Sequence, residues 1–258
     1  MEATLRAGLR AGIFKSLLDY TKDLWTCANF VFSEDDGLSM GAMDSSHVAL
    51  ASLALKPAAF SSFQCRERVT LGIHFDALSM VLKSCTVDDK IELEYTIGND
   101  YITIMRGGDR QWELKLLNIE EDEMIVPEQH HDVTATMPSS ELHKVCRDLK
   151  DIGGETISIR VSQGDEGDEG WAISCSVEGN HGRATAVLKE CVCVECALEI
   201  ACSYGLRFIA SFAKGSPLCS TVHLRFGKET PLCLTYEDED GHGSLQFFLA
   251  SRIDEDDD

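Results

Sequence analysis

The sequence predicts an α+β chain made of two similar halves, each a set of antiparallel strands carrying two short helices. Three observations carry that prediction. Apolar and polar residues alternate with a period of two through most of the chain. Four segments of helical spacing interrupt the alternation, and they recur at like places in the two halves. With 258 residues, 44% of them hydrophobic, the chain can bury a sizeable core.

In chain order, "GIFKSLLDYTKDL" (12–24) predicts the first helix, with Ile13, Leu17, Thr21 and Leu24 on one stripe. Arg6, Arg10 and Lys15 give its approach the look of a targeting peptide, but Glu2 and Asp19 favour an amphipathic part of the folded domain. "GAMDSSHVALASLAL" (41–55) reads as a strand. Asp44, Ser46 and Val48 then face one way, and Ser45, His47 and Ala49 the other. "FDALSMVLKSC" (75–85) predicts the second helix. "IELEYTIG" (91–98) places Ile91, Leu93, Tyr95 and Ile97 on one face, and "GND" (98–100) turns it into "YITIM" as a hairpin. "WELKLL" (112–117) closes the first half.

Residues 118–133, beginning "NIEEDEMIVPEQHH", match neither period and predict a connector between an N-terminal domain (1–117) and a C-terminal domain (134–258) with an acidic tail. "SSELHKVCRDLKDI" (139–152) predicts the third helix, with Leu142, Val145, Leu149 and Ile152 inward and Ser139 as its N-cap. "TISIRVS" (156–162), "STVHLRF" (220–226), "PLCLTYE" (231–237) and "LQFFLAS" (245–251) read as strands. "YGLRFIASFAKG" (204–215) reads as the fourth helix, stopped by Gly215 and Pro217.

Acidic residues outnumber basic ones 44 to 23, a formal charge of −21, so net charge alone disfavours tight nucleic-acid binding. Much of the acid lies in runs at 120–123, 165–169, 237–240 and 254–258, which read as solvated loops and a tail. No apolar run approaches the roughly 18 residues of a membrane span. Eleven cysteines without a secretory signal argue for reduced thiols in a nuclear or cytosolic compartment. Cys191, Cys193 and Cys196, with Cys202 and His181 nearby, have short ligand-like spacing. They lack the second pair of a structural zinc site, and Cys191 and Cys193 alternate with valines as strand residues do.

The distribution of positive charge is more informative than its sum. Lys15 and Lys22, Lys83, Lys144, Arg147 and Lys150, and Arg207 and Lys214 put eight of the 23 basic residues on the four helices, away from their apolar stripes. Spacing alone fits solvated helix faces with Asp19, Asp23, Asp148 and Asp151 as near partners. It also fits a helix-lined surface that meets phosphates without reading bases.

"MDSSHVAL", "VPEQ", "VCRDLKDIG", "KGSPLCSTVHL" and "LQFFLASRIDEDDD" together resemble the proliferating cell nuclear antigen family, the eukaryotic sliding clamps, in order through nearly the whole chain. The resemblance implies the DNA clamp fold, with sheets outside and helices lining the hole of a ring of three subunits that encircles duplex DNA. It implies a nuclear processivity factor with no catalytic activity and no cofactor or metal. Such a factor tethers DNA polymerase, flap nuclease, ligase and other replication and repair proteins through short peptides, and is placed on DNA by a clamp loader. Lys15, Lys22, Lys83, Arg147 and Lys214 fall at pore-facing basic positions, and Lys144, Lys150 and Arg207 extend that set. The peptide pocket would use Met43, His47, Val48 and Leu50, Met124 and Val126 from the connector, and Pro231, Leu232, Phe248, Ala250, Ser251 and Ile253. Arg110–Leu116 would pair with Gly182–Leu188 of a neighbouring subunit.

The chain departs from the family pattern at several of these places. Met80 takes a usually basic pore position, Ser251 a usual Pro and Phe248 a usual Tyr. No Lys lies between Lys150 and Lys189, where the family carries a regulatory one. The loop 162–171 is longer and more acidic, and two residues are added near Arg10 and Ala11. Other readings are a paralogue in a hetero-oligomeric ring, a clamp-shaped scaffold with no DNA role, and a hydrolase using Asp44, Ser46 and His47 or the cysteine cluster. The hydrolase lacks a nucleophile elbow and glycine-framed oxyanion donors.

Overall fold

The structure is a computed structural model. It describes residues 3–21, 24–120, 130–163, 170–189, 191, 193–196, 198–215 and 219–252. The described residues fall into two compact units. One holds those within 1–45, 50–125 and 237–245, the other those within 46–49, 126–236 and 246–252.

The first half of the chain runs β1 (Leu5–Arg10), α1 (Ala11–Thr21), β2 (Cys27–Ser33), β3 (Gly37–Met43), β4 (Ala49–Leu55), β5 (Ser62–Cys65), β6 (Val69–His74), α2 (Phe75–Leu82), β7 (Lys90–Tyr95), β8 (Tyr101–Arg106) and β9 (Arg110–Lys115). The second repeats that order: β10 (Val133–Pro138), α3 (Ser139–Lys150), β11 (Thr156–Gln163), β12 (Trp171–Gly179), β13 (Gly182–Leu188), β14 (Cys193–Cys196), β15 (Ile200–Gly205), α4 (Leu206–Phe212), β16 (Thr221–Phe226), β17 (Leu232–Glu237) and β18 (Gly243–Leu249). Strand pairing repeats as well. Orders β5-β1-β7-β8-β9 and β4-β3-β2-β6 in the first half match β14-β10-β16-β17-β18 and β13-β12-β11-β15 in the second. The duplication expected from helix placement is therefore present in the hydrogen-bond ladders themselves.

Each half buries its two helices against each other and its sheets. In the first, Phe14 of α1 meets Phe30 of β2 edge-on at 5.8 Å, and Phe30 meets Phe75 of α2 at 6.5 Å, the edge-to-face geometry aromatic quadrupoles favour. In the second, Phe212 of α4 stacks on Phe247 of β18 at 4.5 Å, with Tyr236 edge-on to Phe247 at 6.3 Å. Gly72 of β6 and Leu117 form a bridge, with Leu117 N–H donating to the Gly72 carbonyl at 2.8 Å. A Cβ at Gly72 would stand 2.3 Å from the Leu117 carbonyl oxygen, so this approach requires glycine.

Four local expectations are corrected. The first helix turns Phe14, Leu17, Leu18 and Thr21 inward, leaves Ile13 half-exposed and ends before Leu24. Pro138, not Ser139, is the N-cap of α3, because the Ser139 hydroxyl is drawn to the Cys219 carbonyl at 2.5 Å. β7 stops at Tyr95, leaving Ile97 exposed in the turn where Gly98 takes a φ of +88°. β17 does not alternate: Leu232 to Tyr236 are all buried.

Candidate functional site

The residues 44–48 form the link between β3 and β4, not a strand. Met43 and Leu50, the last pair of that hairpin, face each other across it, both half-exposed. Asp44 is buried, whereas Ser45, Ser46, His47 and Val48 are exposed. His47 takes a φ of +58°, a left-handed conformation that costs a side-chain-bearing residue some strain. The alternating sidedness expected for Asp44, Ser46 and His47 therefore does not apply. They lie on a turn that displays its imidazole to solvent.

The second unit brings this turn to its own β18 end. Ala250 N–H donates to the Val48 carbonyl at 2.9 Å, and Arg252 N–H donates to the Ser203 carbonyl at 2.7 Å. Between these tethers lies an open cavity of about 520 Å³ whose lining includes Ser46, Val48, Gly205, Ala250, Ser251 and Arg252, all within the second unit. Lys150 at the end of α3, Arg207 at the start of α4 and Phe208 also line it. Of the other pocket candidates, Pro231 is half-exposed, whereas Leu232 and Phe248 are 1% and 9% exposed, so Leu232 offers no surface to a ligand. Met124, Val126 and Ile253 lie outside the described residues.

The basic candidates divide sharply. Lys83, Lys144, Arg147, Lys150 and Arg207 are exposed. Arg147 lies 3.3 Å from the neighbouring Asp148 carboxylate, a pair open enough to water to hold its cation only weakly. The Arg207 guanidinium stands 4.4 Å over the Phe208 ring. Lys214 is half-buried on the 3-10 turn that follows α4. Lys15 is different. Its ammonium turns inward and donates to the carbonyls of Leu82 at 3.2 Å and Cys85 at 2.5 Å, capping the C-terminal end of α2. Met80, at a position the family resemblance makes basic, is 64% exposed. Lys22 lies outside the described residues.

No group of three or more metal-ligating side chains comes together among the described residues. Cys191 precedes β14 rather than lying on it, against the alternation expected for it. Burial, reinforced by Glu141, pushes its thiol up to about 11. Burial alone pushes Cys146 up to about 12, and burial, reinforced by neighbouring Cys146, Cys191 and Glu141, raises Cys175 as well. These thiols stay protonated at neutral pH and make poor nucleophiles. Among the described residues no helix is long and apolar enough to cross a membrane. Sequence reasoning missed three residues with structural roles. Arg252 donates to the Thr156 hydroxyl at 2.7 Å, and Arg106 and Asp89 hold the α2 end together. A basic residue two positions before an acidic run was the one available signal for Arg252.

The family model for the proliferating cell nuclear antigen N-terminal domain matches residues 1–125, and that for the C-terminal domain residues 125–252. The chain is similar to proliferating cell nuclear antigen of Chaetomium thermophilum, with 30% identity over 261 residues, covering 96% of this chain and 97% of that one. Among solved structures it is similar to the crystal structure of proliferating cellular nuclear antigen from Entamoeba histolytica. That match has a TM-score of 0.87 and 26% identity, and covers 98% of this chain and 100% of the other.

Proposed function

The chain belongs to the proliferating cell nuclear antigen family and has the DNA clamp fold, and from that premise we propose that it is a nuclear sliding clamp whose three identical subunits close around duplex DNA. Members of this family are not enzymes, so the acid, hydroxyl and imidazole at 44–47 have no catalytic assignment. The clamp is a processivity factor for replicative polymerase. It tethers flap nuclease, ligase and repair proteins by short peptides docked around Met43, His47, Val48, Leu50, Pro231, Phe248, Ala250 and Ser251, with Met124, Val126 and Ile253 completing that pocket. Residues 118–133 serve as the connector.

The observation that carries the reading is the unbroken family match from residue 1 to residue 252. Two further features support it. β9 and β13 are both terminal strands of their sheets, each with an edge left for a neighbour's strand. A head-to-tail pairing of β9 with β13 of the next subunit closes into a ring if the rotation per subunit is one third of a turn. The exposed Lys83 just past α2 and the exposed cations on α3 and α4 supply phosphate contacts without base readout, which suits sliding.

The test is mass and function together. Light scattering on the purified chain is expected to give three times the chain mass, and a clamp-loader-dependent polymerase assay longer products with the protein than without. A stable monomer that forms a ring only with other chains would replace the homotrimer with a paralogue ring. A trimer that leaves product length unchanged would replace it with a scaffold.

A further inference from the structure

Arg225, on β16, is a cation without a counter-ion in a molecule rich in acid. The chain has 44 acidic residues to 23 basic ones, yet among the described residues no carboxylate pairs with this guanidinium. Of its three nitrogens only Nη2 meets acceptors, the Thr235 hydroxyl at 3.0 Å and the Cys233 sulfur at 3.6 Å. Nε is buried and has no partner. A buried charged donor left unpaired is costly, and folded chains keep few of them. Two acids in the same region are placed otherwise. Asp132 accepts from the Lys228 backbone N–H at 3.1 Å, and Glu195 stands exposed two strands away, across Thr134.

The side of the sheet on which this cation lies gives it a use. Tyr236 and Phe247 turn toward Phe212 of α4, so Thr235 and Phe248, their neighbours along β17 and β18, face the opposite side. The guanidinium lies over Thr235, on that opposite side. Thr235 and Cys233 beneath it are 2% and 0% exposed, whereas Arg225 itself is half-buried, so its outer edge is open to solvent. Phe248 belongs to the proposed partner pocket and stands two strands from Arg225, about 10 Å across the sheet. Pro231, another pocket residue, lies in the turn that joins β16 to β17. His131 is held below the usual histidine range by burial first and by the Arg225 charge second, so the cation is felt by its surroundings rather than cancelled.

We propose that Arg225 is a specificity-determining residue that anchors an Asp or Glu carboxylate of the docking peptide, beyond the apolar plug. This rests on the reading of the chain as a clamp that docks partner peptides. A peptide whose plug sits at Phe248 and whose acid lies about three extended residues away brings the carboxylate to the guanidinium. A carboxylate matches the fork of an arginine and supplies the acceptors that the free N–H groups lack. Partners with an acid at that distance are thereby preferred over partners with a neutral residue or a Lys. In a chain of formal charge −21 that preference runs against the long-range field, which repels acidic peptides, so a local cation is needed to produce it.

The test compares two fluorescein-labelled versions of a flap-nuclease docking peptide, with Glu or with Gln at the third residue on either side of the apolar plug. Both are titrated by anisotropy with the full chain and with its Arg225→Gln variant. The full chain is expected to bind the Glu version about tenfold more tightly. Arg225→Gln is expected to abolish that preference, to bind the Gln version as the parent does, and to keep Tm within about 2 degrees of the parent. Arg225→Lys, a milder change that keeps the charge without the fork, is expected to reduce the preference to about threefold, and it carries the test if Arg225→Gln does not fold. Equal binding of the two versions by the full chain, a Glu preference that survives in Arg225→Gln, or one undiminished in Arg225→Lys would overturn the anchor and leave the docking reading in place. Binding of neither version would overturn the docking reading and the anchor with it.

Discussion

The second helix of each half is the same element in the same place, yet the two are finished differently. At the end of α2 the carbonyls are met by charge. The Lys15 ammonium reaches Leu82 and Cys85, and the Arg106 guanidinium reaches Ser84 while lying 3.3 Å from the Asp89 carboxylate. At the end of α4 the Phe212 carbonyl accepts from the neutral Tyr236 hydroxyl at 3.0 Å. The fifth residue of α1, counted from the end of β1, is Lys15; its counterpart on α3, counted from β10, is His143. The first half thus commits Lys15 and Arg106 to its own helix end and leaves Lys83 exposed, whereas Lys144, Arg147, Lys150 and Arg207 of the second half all face solvent. One topology, used twice, divides into a half that spends its charge on stability and a half that keeps charge available.

That division predicts unequal effects on DNA. Replacing Lys144 and Arg147 together with Ala is expected to lower affinity for duplex DNA by about tenfold or more at moderate salt. It should also reduce the slope of log K against log salt by about 0.9 for each phosphate that is no longer neutralised. Fluorescence anisotropy with a labelled duplex across a salt series measures both. Lys15→Met, which keeps the aliphatic stem, is expected to leave that slope unchanged. Should Lys15→Met flatten the slope as much as Arg147→Ala does, Lys15 leaves the helix end for phosphate and the contrast fails.

The next effect is on stability and has the opposite distribution. Lys15→Met removes a charged donor from two half-buried carbonyls and is expected to cost about 1–2 kcal/mol, seen as a fall of a few degrees in Tm. Lys144→Ala and Arg147→Ala, at exposed positions, are expected to shift Tm by less than about one degree.

Most of the fold was legible because it rests on local periodicity. The hairpin β7–β8, the strand β11 and the apolar stripe of α3 all follow from residues close together in the sequence. What was not legible depends on partners far away in sequence. Lys15 looks like any solvent-facing lysine until the carbonyls of Leu82 and Cys85, 67 and 70 positions on, are placed beside it. Ser139 has the chemistry of an N-cap but is claimed by Cys219, 80 positions away. In "MDSSHVAL" the apolar residues at both ends suggested one continuous strand. The polar run between them instead makes the turn, with His47 rather than a glycine in the left-handed position. The expected pocket was legible only as a set of residue types. Its cationic neighbour Arg252 was missed because nothing in a linear reading ties it to Thr156, 96 positions back.

The smallest effect separates the two helix ends by pH. Asp89 accepts from the Thr86 backbone N–H at 2.8 Å, and that bond, more than the nearby Arg106, holds its carboxyl below the usual range. A carboxylate whose pKa is lower in the folded than in the unfolded chain adds stability above the unfolded value. It loses that contribution as pH falls through the folded one. Asp89→Asn is therefore expected to have a lower Tm than the parent at pH 7, and the gap is expected to close as pH falls from about 4 toward 2. Tyr236→Phe removes a hydrogen bond that carries no charge, at a cost of about 1 kcal/mol, and a phenol stays neutral throughout that range. Its gap to the parent should remain constant from pH 7 down to pH 3. Thermal melts of both variants at matched pH read the difference directly. A pH-independent gap for Asp89→Asn would mean that the α2 end is held by packing rather than by charge, and that the two halves are finished alike.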